Sequence, residues 1–395
     1  MKKFKILCID IEGGHGGSSR SLFYFLEAIS KKKKFSQLEI TVICRKKSWV
    51  EKKYKNIGIN CLIEEHMPRY TPLKKNSRNI YQLILFLIFI WPRSNKFRKR
   101  ILTLKHYDVL HFNHVSLSLL AWWCKLKKIG KTRVMHIRTM PPKNIFSKIL
   151  YTISKKSCDS FIYITENEKN HLHHIIGQPN LNEKVIYNPV KILKKNHLRL
   201  LKNDNRFKIG ILSNFSYNRG LDRTLEIFEA IPLHKKKMFV FVFGGDMTLE
   251  KNMPNINKSF IKEKKYFSEV VASSDYKENF IFLGQLKHPE RLLQSIHVLL
   301  KPTRLNNPWG RDILEALSQG KPAISIGNYE KFIETDLTGL LQRRYDPTEI
   351  ANWLLKIESD KTLQKKFSIQ CKKRIEIFCN PTKVSNMLLN VWSVK

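Results

Sequence analysis

The stretch that most constrains how this chain can fold lies between residues 297 and 341. It opens with a short apolar run, 297–301, and continues through a polar loop into an amphipathic segment, 312–318. Gly320 ends that segment, and a second apolar run, 323–326, follows closely. This order of strand, loop, helix and strand predicts a βαβ crossover, and open α/β sheets bind ligands in the loop after the first strand.

The polar loop, TRLNNPWG, has the chemistry of a phosphate-binding turn. Asn306, Asn307 and Gly310 allow the backbone to turn tightly and to point N–H groups outward at the start of a helix, whose dipole attracts an anion. Glu315 lies one turn inside that helix, where ribose hydroxyls would be natural donors to its carboxylate. The alternative is that Glu315 is a solvated surface residue, and the helix by itself favours neither.

These residues resemble the signature of the family 4 retaining glycosyltransferases. In that signature, two glutamates at a fixed spacing are followed by a helix of small residues and a Gly-Lys-Pro strand. Glu315 with Ala316 and the sequence 320–322 match its second half, and 338–341 match its closing turn. Asn307 stands where the first glutamate is expected, so the resemblance implies that an amide contacts the donor sugar.

The charge balance points to an anionic partner. The chain has 395 residues, enough for two domains with separate cores, and carries 72 Lys and Arg against 33 Asp and Glu, a net charge of +39. Such a field attracts nucleic acid, acidic lipid or phosphorylated substrates. An A/T-rich coding sequence would also raise the lysine count, but the field acts whatever its origin.

Cysteine usage and the first residues indicate a cytoplasmic location. The seven cysteines are odd in number, scattered and never spaced as C-x-x-C, which is typical of a reducing compartment. The start of the chain is basic, but its apolar run is short and is interrupted by Asp10 and Glu12. It therefore predicts a first strand and not a signal peptide.

A glycine-rich loop follows this first predicted strand, 4–11. Gly16 and Gly17 would let the backbone approach an anion closely, before a helical pattern that begins at Arg20. The spacing matches neither the dinucleotide fingerprint nor a Walker loop, and glycines also serve simple tight turns. The resemblance implies that this loop faces the donor, so that Gly16 and Gly17 contribute to donor binding.

His136 lies at the end of a predicted strand, 133–137, before a rigid Pro-Pro loop. A lone histidine is more often a structural hydrogen-bonding residue than a catalytic one. The family has a histidine in this loop against the donor sugar, so the resemblance implies catalytic roles for His136 and Glu315. His111 and His114 are expected to be structural.

The second half of the chain begins the same architecture again. It opens with a predicted strand at 207–212, which is followed by the loop SNFSYNRG and a helix at 221–231. In the family this loop carries a basic pair that holds the diphosphate; Arg219 lies at one of the two positions and Asn214 occupies the other. One arginine can hold a diphosphate through two hydrogen bonds. The alternative for Arg219 is a surface charge at a helix start.

Alternating strands and helices in both halves predict parallel sheets with helices on both faces, an α/β protein. The resemblance implies the GT-B fold, two Rossmann-like domains facing each other across a cleft. We place the acceptor-side domain at 1–195, with 185–190 as its last strand, and the nucleotide-sugar-binding domain at 196–379. A terminal helix, 380–395, is expected to pack back on the first domain.

An apolar insert, residues 80–91, lies between the third and fourth strands of the first half. Its length of about 12 residues is short of the roughly 20 that span a bilayer. Basic clusters flank it and Trp91 stands at its border, a pattern typical of a membrane interface. Burial in the core is the alternative, and the pattern favours an anionic membrane surface. The side chains expected to enter the bilayer edge are Leu85, Phe86, Phe89 and Ile90.

Together these features predict a hexosyltransferase that moves a sugar from a nucleotide-diphosphate sugar to an acceptor hydroxyl. The resemblance implies a retaining enzyme that uses no metal and no cofactor, in which Arg219 and helix starts stabilise the leaving diphosphate. We expect a lipid-linked or saccharide acceptor and a role in bacterial surface polysaccharide or lipopolysaccharide assembly. The protein would act as a peripheral protein on the cytoplasmic face of the membrane, without a nucleic-acid partner.

Two other classes stay open. A GT-B epimerase or an inactive binding subunit would keep the fold, and Asn307 in place of the family glutamate is the feature that favours it. A nucleic-acid-binding protein is favoured only by the net charge, because the basic residues are spread along the chain without a recognised binding motif.

Overall fold

The computed structural model describes residues 3–14, 16–72, 76–103, 106–191, 201, 204–249 and 265–393. The chain divides into two compact units, called here the first and the second unit. The first comprises Met1–Pro189 with Asn380–Lys395, and the second comprises Val190–Cys379. The predicted domain boundary, between 195 and 196, lies outside the described residues.

The first unit is built on a parallel sheet of seven described strands, in the order β3-β2-β1-β4-β5-β6-β7. Alternate side chains of the first strand point to opposite faces, so Leu7 and Ile9 enter one apolar cluster while Ile6 and Cys8 enter the other. Both faces are thus buried, as is usual for parallel sheets. The strands are β1 Phe4–Asp10, β2 Leu38–Cys44, β3 Asn60–Ile63, β4 Val109–Phe112, β5 Thr132–Ile137, β6 Ser160–Tyr163 and β7 Asn182–Val185.

Helices cover both faces of this sheet. The described helices are α1 Gly17–Ser30, α2 Trp49–Asn56, α3 Asn76–Leu85, α4 Trp91–Arg93, α5 Asn95–Thr103, α6 Ser118–Leu126, α7 Ile145–Ser157 and α8 Glu166–Ile176. Short 3₁₀ helices span Lys33–Gln37 and Val115–Leu117, and a π-helical turn, Phe86–Ile90, links α3 to α4.

The second unit repeats this architecture with six described strands in the order β10-β9-β8-β11-β12-β13. Its strands are β8 Phe207–Leu212, β9 Phe239–Gly244, β10 Phe280–Phe282, β11 Val298–Lys301, β12 Ala323–Ile326 and β13 Gly339–Gln342. Its described helices are α9 Arg223–Glu229, α10 Leu233–Lys236, α11 Phe267–Ala272, α12 Pro289–Ser295, α13 Arg311–Ser318, α14 Pro347–Ser359 and α15 Lys361–Cys379, with 3₁₀ turns at Tyr217–Arg219 and Lys277–Asn279.

The last helix, α16 Pro381–Val391, belongs to the first unit and packs on α1. Val384 and Leu388 lie in the same apolar cluster as Leu22 and Phe25. The hydroxyl of Ser385 also donates a hydrogen bond of 3.2 Å to the carbonyl of Phe25. The end of the chain therefore covers one face of the sheet that begins with its first residues.

The predicted strands 4–11, 133–137 and 207–212 are confirmed with small shifts at their ends. The predicted last strand of the first half, 185–190, is wrong, because pairing with β6 occupies Asn182–Val185. One further backbone bond joins the N–H of Ile186 to the carbonyl of Tyr163, and Pro189 has no N–H with which to continue.

Each sheet has one switch point, where successive connections leave in opposite directions. In the first unit it lies between β1 and β4, and in the second unit between β8 and β11. The loops at the carboxyl ends of these strands are where open parallel sheets bind ligands. The glycine-rich loop follows β1, and the loops that contain Arg219 and Asn307 follow β8 and β11.

The apolar insert is helical, and most of its side chains do not reach the core. Phe86 is the exception; it is buried, with ring centroids 5.9 Å from both Tyr70 and Trp91. The prediction that Phe86 enters a bilayer edge is therefore wrong, whereas Phe89 and Ile90 are exposed. In the part of the chain that the structure describes, no helix is both long enough and apolar enough to span a membrane.

Candidate functional site

In the second unit, the loops that follow β8 and β11 pack against each other at the switch point. The carbonyl of Asn218 accepts hydrogen bonds from the backbone N–H of Arg304, at 3.0 Å, and from the hydroxyl of Thr303, at 3.2 Å. Gly220 has a left-handed backbone, with φ +68°, and a Cβ at this position would lie 2.1 Å from the carbonyl oxygen of Pro302. The close approach of the two loops therefore requires glycine.

Arg219 and Lys301 form the cationic part of this site. Arg219 is exposed at the end of the turn after β8, whereas Lys301 ends β11 and is buried. The Lys301 ammonium donates to the carbonyl of Trp309 at 2.6 Å and lies 3.7 Å from the carboxylate of Asp312. Burial lowers the pKa of Lys301, Asp312 opposes this, and the charge of Arg219 lowers it further. An anion bound beside both cations would relieve their repulsion.

The loop after β11 is held firmly, yet it leaves two buried polar atoms without partners. Asn306 Oδ1 accepts a hydrogen bond from the N–H of Asn328 at 2.9 Å, and the Trp309 ring packs against Phe332 with centroids 5.6 Å apart. Among the described residues, nothing bonds to Asn307 Oδ1 or to Trp309 Nε1. Since a buried unpaired group costs about 1 to 3 kcal/mol, these atoms are suited to hydrogen bonds with a ligand.

Glu315 lies one turn inside α13, as predicted, and forms an ion pair with Arg311 of the same helix. Arg311 Nε is 2.8 Å from Glu315 Oε1, and the two side chains are only 10% and 16% exposed. The alternative that Glu315 is a solvated surface residue is therefore wrong. Gly310 precedes this helix, and a Cβ there would lie 2.8 Å from Lys301 Nζ, so the absence of a side chain lets the lysine reach the helix start.

Asn214 shapes the loop after β8. Its side-chain carbonyl accepts a hydrogen bond of 3.0 Å from the backbone N–H of Asp246, which joins this loop to the one after β9. The residue itself is exposed. Position 214 thus supplies no cation, and a basic residue of the neighbouring strand β11 is Lys301.

In the first unit, the glycine-rich loop brings a helix start to the end of β1. Gly14 adopts φ +95°, and its N–H donates to the hydroxyl of Ser19 at 2.6 Å. A Cβ on Gly16 would lie 1.6 Å from Glu12 Oε2, so a larger residue here would require the Glu12 side chain to move. Gly17 is the first residue of α1, where the leading N–H groups have no partner within the helix.

A buried polar network lies at the carboxyl ends of β1, β4 and β5. Asp10 accepts hydrogen bonds from Ser19 and, at 2.9 Å, from Asn113 Nδ2. Burial raises the pKa of Asp10, whereas these hydrogen bonds and Arg138 oppose the rise. The Arg138 guanidinium donates to Asn113 Oδ1 at 2.9 Å and to Asn188 Oδ1 at 2.8 Å. The network therefore holds Arg138 in one position at the edge of the sheet.

His136 lies beneath this network and is fully buried. Its Nδ1 is 3.4 Å from His111 Nε2 and 3.2 Å from Arg138 Nη2. Because Trp392 Nε1 donates to His111 Nδ1, the His111 proton is on Nε2 and points at His136. His136 thus accepts at Nδ1 and carries its own proton on Nε2, which has no partner among the described residues. Burial, Arg138 and His111 hold its pKa well below the ordinary value, so the ring is neutral.

In this geometry His136 acts as an acceptor that helps to orient Arg138. Its contact with a donor sugar stays a prediction, as do the donor contacts of Gly16 and Gly17. Neither Arg138 nor Lys301 was among the site residues predicted from the sequence. The available signal was a basic residue at the end of an apolar strand, in VMHIR and in HVLLK, where a buried charge needs a partner or a ligand.

Sequence comparison identifies both halves of the chain. The profile described as Glycosyltransferase Family 4 matches residues 15–192, and the profile described as Glycosyl transferases group 1 matches residues 194–374. The two matches together cover most of the sequence, and the chain belongs to the GT-B glycosyltransferases of the family 4 type. No curated protein matches it significantly.

Solved structures share the fold over almost the whole length. HepE of Anabaena, crystallised with UDP, aligns with a TM-score of 0.74 and 16% identity, over 99% of this chain and 100% of HepE. A glycosyltransferase from Rickettsia africae aligns with a TM-score of 0.68 and 16% identity, over 100% of this chain and 98% of the other. The lipopolysaccharide outer core galactosyltransferase WaaB aligns with a TM-score of 0.61 and 15% identity, over 99% of both chains. These likenesses confirm the predicted fold, two Rossmann-like domains of the GT-B kind.

Proposed function

We propose that the protein is a hexosyltransferase that moves a sugar from a nucleotide-diphosphate sugar to an acceptor hydroxyl. The observation that carries this proposal is the packing of the loop that contains Arg219 against the residues that follow β11, the strand that ends with the buried Lys301. In the transfer, the bond between the sugar and the diphosphate breaks and the leaving diphosphate gains negative charge. Fixed cations stabilise that charge without reorganisation. The HepE complexes with UDP and with UDP-glucose support this class of donor.

The remaining donor contacts would come from the loop after β11 and from α13. Asn307 Oδ1 is buried and unpaired among the described residues, so it is suited to accept a hydrogen bond from a sugar hydroxyl. Gly310 brings the start of α13 towards the phosphates, and Glu315, oriented by Arg311, would accept from the ribose. Asn214 would act indirectly, by holding the loop that presents Arg219.

We further propose that transfer proceeds with retention of configuration and needs neither a metal ion nor a cofactor. The family resemblance suggests retention. Arg219, Lys301 and the start of α13 supply positive charge that a divalent cation would otherwise provide. In the first unit, His136 would contribute through Arg138, which it helps to orient, while Gly16 and Gly17 would offer backbone N–H groups.

The acceptor is proposed to be lipid-linked or a saccharide, in bacterial surface polysaccharide or lipopolysaccharide assembly. The likeness to WaaB, a lipopolysaccharide outer core galactosyltransferase, supports this class of pathway. The net charge of +39 suits a substrate that carries phosphate and a cytoplasmic membrane face rich in anionic lipid.

The proposal is tested by titrating the protein with UDP, GDP and ADP and with the matching nucleosides. We expect one diphosphate to bind, and Arg219→Ala to weaken it by about 1.5 to 3 kcal/mol, the range for a charged hydrogen bond, while the nucleoside binds as before. Arg343→Ala, at a side chain that is 82% exposed in the same unit, is the matched control and should change neither affinity. An equal loss for nucleoside and diphosphate would show that Arg219 does not hold the phosphates.

The same preparation separates transfer from the epimerase alternative. A transferase given its donor and acceptor releases free nucleoside diphosphate and a glycosylated acceptor. An epimerase instead changes the configuration of the sugar and needs no acceptor. If none of the three diphosphates binds, the proposed donor class is wrong and an inactive subunit becomes the better account.

A further inference from the structure

We propose that the helical insert of the first unit docks this protein on the surface of an anionic lipid bilayer. The docking element, called here the apolar tip, consists of residues 80–90 in α3 and the π-helical turn that follows. This goes beyond the chemistry of sugar transfer and does not depend on it, because it rests on residues other than those placed at the donor site.

The apolar tip exposes seven large apolar side chains. Single exposed apolar residues are ordinary on protein surfaces, but a contiguous set in one helical segment marks a surface that another body covers. In a chain without a partner these side chains would stay in water at a cost of about 25 cal/mol for each Å² of apolar surface. The seven, each between 40% and 64% exposed, are Ile80, Tyr81, Ile84, Leu87, Ile88, Phe89 and Ile90.

The order of exposure shows that the end of the tip buries few of its side chains. An α-helix has 3.6 residues per turn, so a helix that lies on a core buries at least one residue in each turn. Here four consecutive residues, 87–90, are all exposed, and they lie between Phe86 and Trp91, which both contact the core. The π-helical geometry contributes, since the N–H of Trp91 bonds to the carbonyl of Phe86 five residues earlier and widens the turn.

The base of the tip is anchored, so its exposure is built into the fold. Phe86 inserts into the core beside Tyr70, and Trp91 packs against the same cluster. The Arg98 guanidinium lies 4.4 Å from the centre of the Trp91 ring and donates to its carbonyl at 3.2 Å. A rigid base means that little conformational entropy is lost when the tip meets its partner.

Charge around the tip favours a bilayer over other partners. The sequence has ten Lys and Arg and no Asp or Glu between Glu65 and Asp108. Arg98 and Arg100 are engaged, with Trp91 and with Glu64, but other basic residues on both sides of the tip are exposed. They are Arg78, Arg93, Lys96 and Lys99. Apolar side chains between cations match a surface of anionic head groups over hydrocarbon.

This charge argues against a second copy of the chain, because two such surfaces would bring like charges together. The composition of the tip argues against nucleic acid, since most of its exposed side chains are aliphatic and do not offer the aromatic rings on which bases stack. The neighbouring helices α6 and α7 add exposed apolar side chains to the same helical layer. These are Trp122, Leu126, Ile145 and Ile149.

The test is co-sedimentation of the full chain with phosphatidylcholine vesicles, with and without phosphatidylglycerol. We expect binding that requires phosphatidylglycerol, and a loss of about a hundredfold or more in partitioning for Leu87→Gln with Ile88→Gln and Phe89→Gln. The matched control changes exposed apolar residues of the second unit in the same way, at Leu233, Ile369 and Ile377, and should bind like the wild type. Thermal melts of both triple variants should match the wild type, since no core residue is changed.

A second variant removes charge and leaves the apolar side chains in place. Arg93→Gln with Lys96→Gln and Lys99→Gln should weaken binding to anionic vesicles on the order of a hundredfold, about fivefold for each charge, and lower its salt dependence. Its control carries the same change at Lys365, Lys366 and Lys373, exposed residues of α15. This variant decides the question if the apolar triple proves unstable.

Three results would overturn the inference. The first is a wild-type protein that does not bind anionic vesicles, and the second is an apolar triple, folded, that binds as well as the wild type. The third is a wild-type dimer that the apolar triple converts to a monomer without any vesicle binding, which would assign the tip to a second copy. None of these assays uses a donor or an acceptor, so their failure is separate from failure of the proposed transfer.

Discussion

Trp392 Nε1 donates a hydrogen bond of 3.2 Å to His111 Nδ1, across a sequence separation of 281 residues. Both residues are fully buried, and their rings meet edge to face with centroids 5.6 Å apart. Burial, assisted by Arg138, lowers the pKa of His111 to about 3, which keeps the ring neutral and able to accept this bond. The core of the first unit is therefore complete only when the end of the chain is in place.

Replacing Trp392 with Phe should lower the free energy of unfolding by about 1 to 3 kcal/mol. The phenyl ring can fill much of the space, but His111 Nδ1 loses its donor and becomes a buried unpaired acceptor. The measurement is a denaturant titration beside Trp122→Phe, at an exposed tryptophan of the same unit, which should have little effect. Equal stability of the two variants would mean that the hydrogen bond contributes nothing.

Glu168 should give the first unit a stability that falls as the pH rises. Burial raises the pKa of this carboxyl from 4.5 to about 7, although the Thr165 hydroxyl donates to it. Between these two pH values the folded state holds a proton that the unfolded state releases. The contribution of the protonated Glu168 to the free energy of unfolding is thus complete below about pH 4.5 and is lost as the pH passes 7. Its size is on the order of 3 kcal/mol.

The corresponding variant is Glu168→Gln, which resembles the protonated acid and still accepts from Thr165. We expect it to be more stable than the wild type at pH 8 and equal to it at pH 5, as measured by thermal melts at both values. Glu65→Gln, at an exposed glutamate of the same unit, should show no such dependence on pH. A Glu168→Gln variant that is less stable than the wild type at pH 8 would contradict the assignment.

Glu315→Gln should weaken donor binding and also lower the melting temperature. The first effect follows from loss of the carboxylate that would accept from the ribose, and the second from loss of the partner that is 2.8 Å from Arg311. Adding Arg311→Gln should restore part of the stability but not the donor affinity, since the two effects have different causes. Donor affinity and turnover that match the wild type would reduce Glu315 to a structural residue.

Strand and helix positions near the site followed from local patterns. The apolar run in HVLLK, the amphipathic period of RDILEALS and the glycine at 320 are signals carried by neighbouring residues, and β11 with α13 appears where they predict it. The failure at 185–190 has a local cause as well, because Pro189 cannot donate to a sheet. The hydrophobic pattern alone could not decide whether the strand lies in VIYNPV or in the polar residues before it.

The environments of individual side chains could not be predicted from local sequence patterns. His136 was expected to contact the donor because the resembled family has a histidine in this loop, but its burial depends on side chains from other elements, such as Phe25 of α1 and His111 of β4. Lys301 was not predicted as a site residue, and a lysine after an apolar run is usually a surface charge. Its burial depends on the loop through Trp309 and on Asp312, which fold over it.

The sequence by itself determined the two Rossmann-like units, the loops that carry the site and the family to which the chain belongs. These depend on hydrophobic period, turn residues and motif spacing, which act over a few residues. Only the tertiary structure decided that Lys301 is buried, that His111 and His136 lie in the core and which side chains of the apolar insert meet water. Those outcomes depend on burial and on partners distant in sequence, because the free energy of a charged or apolar side chain is set by what surrounds it in space.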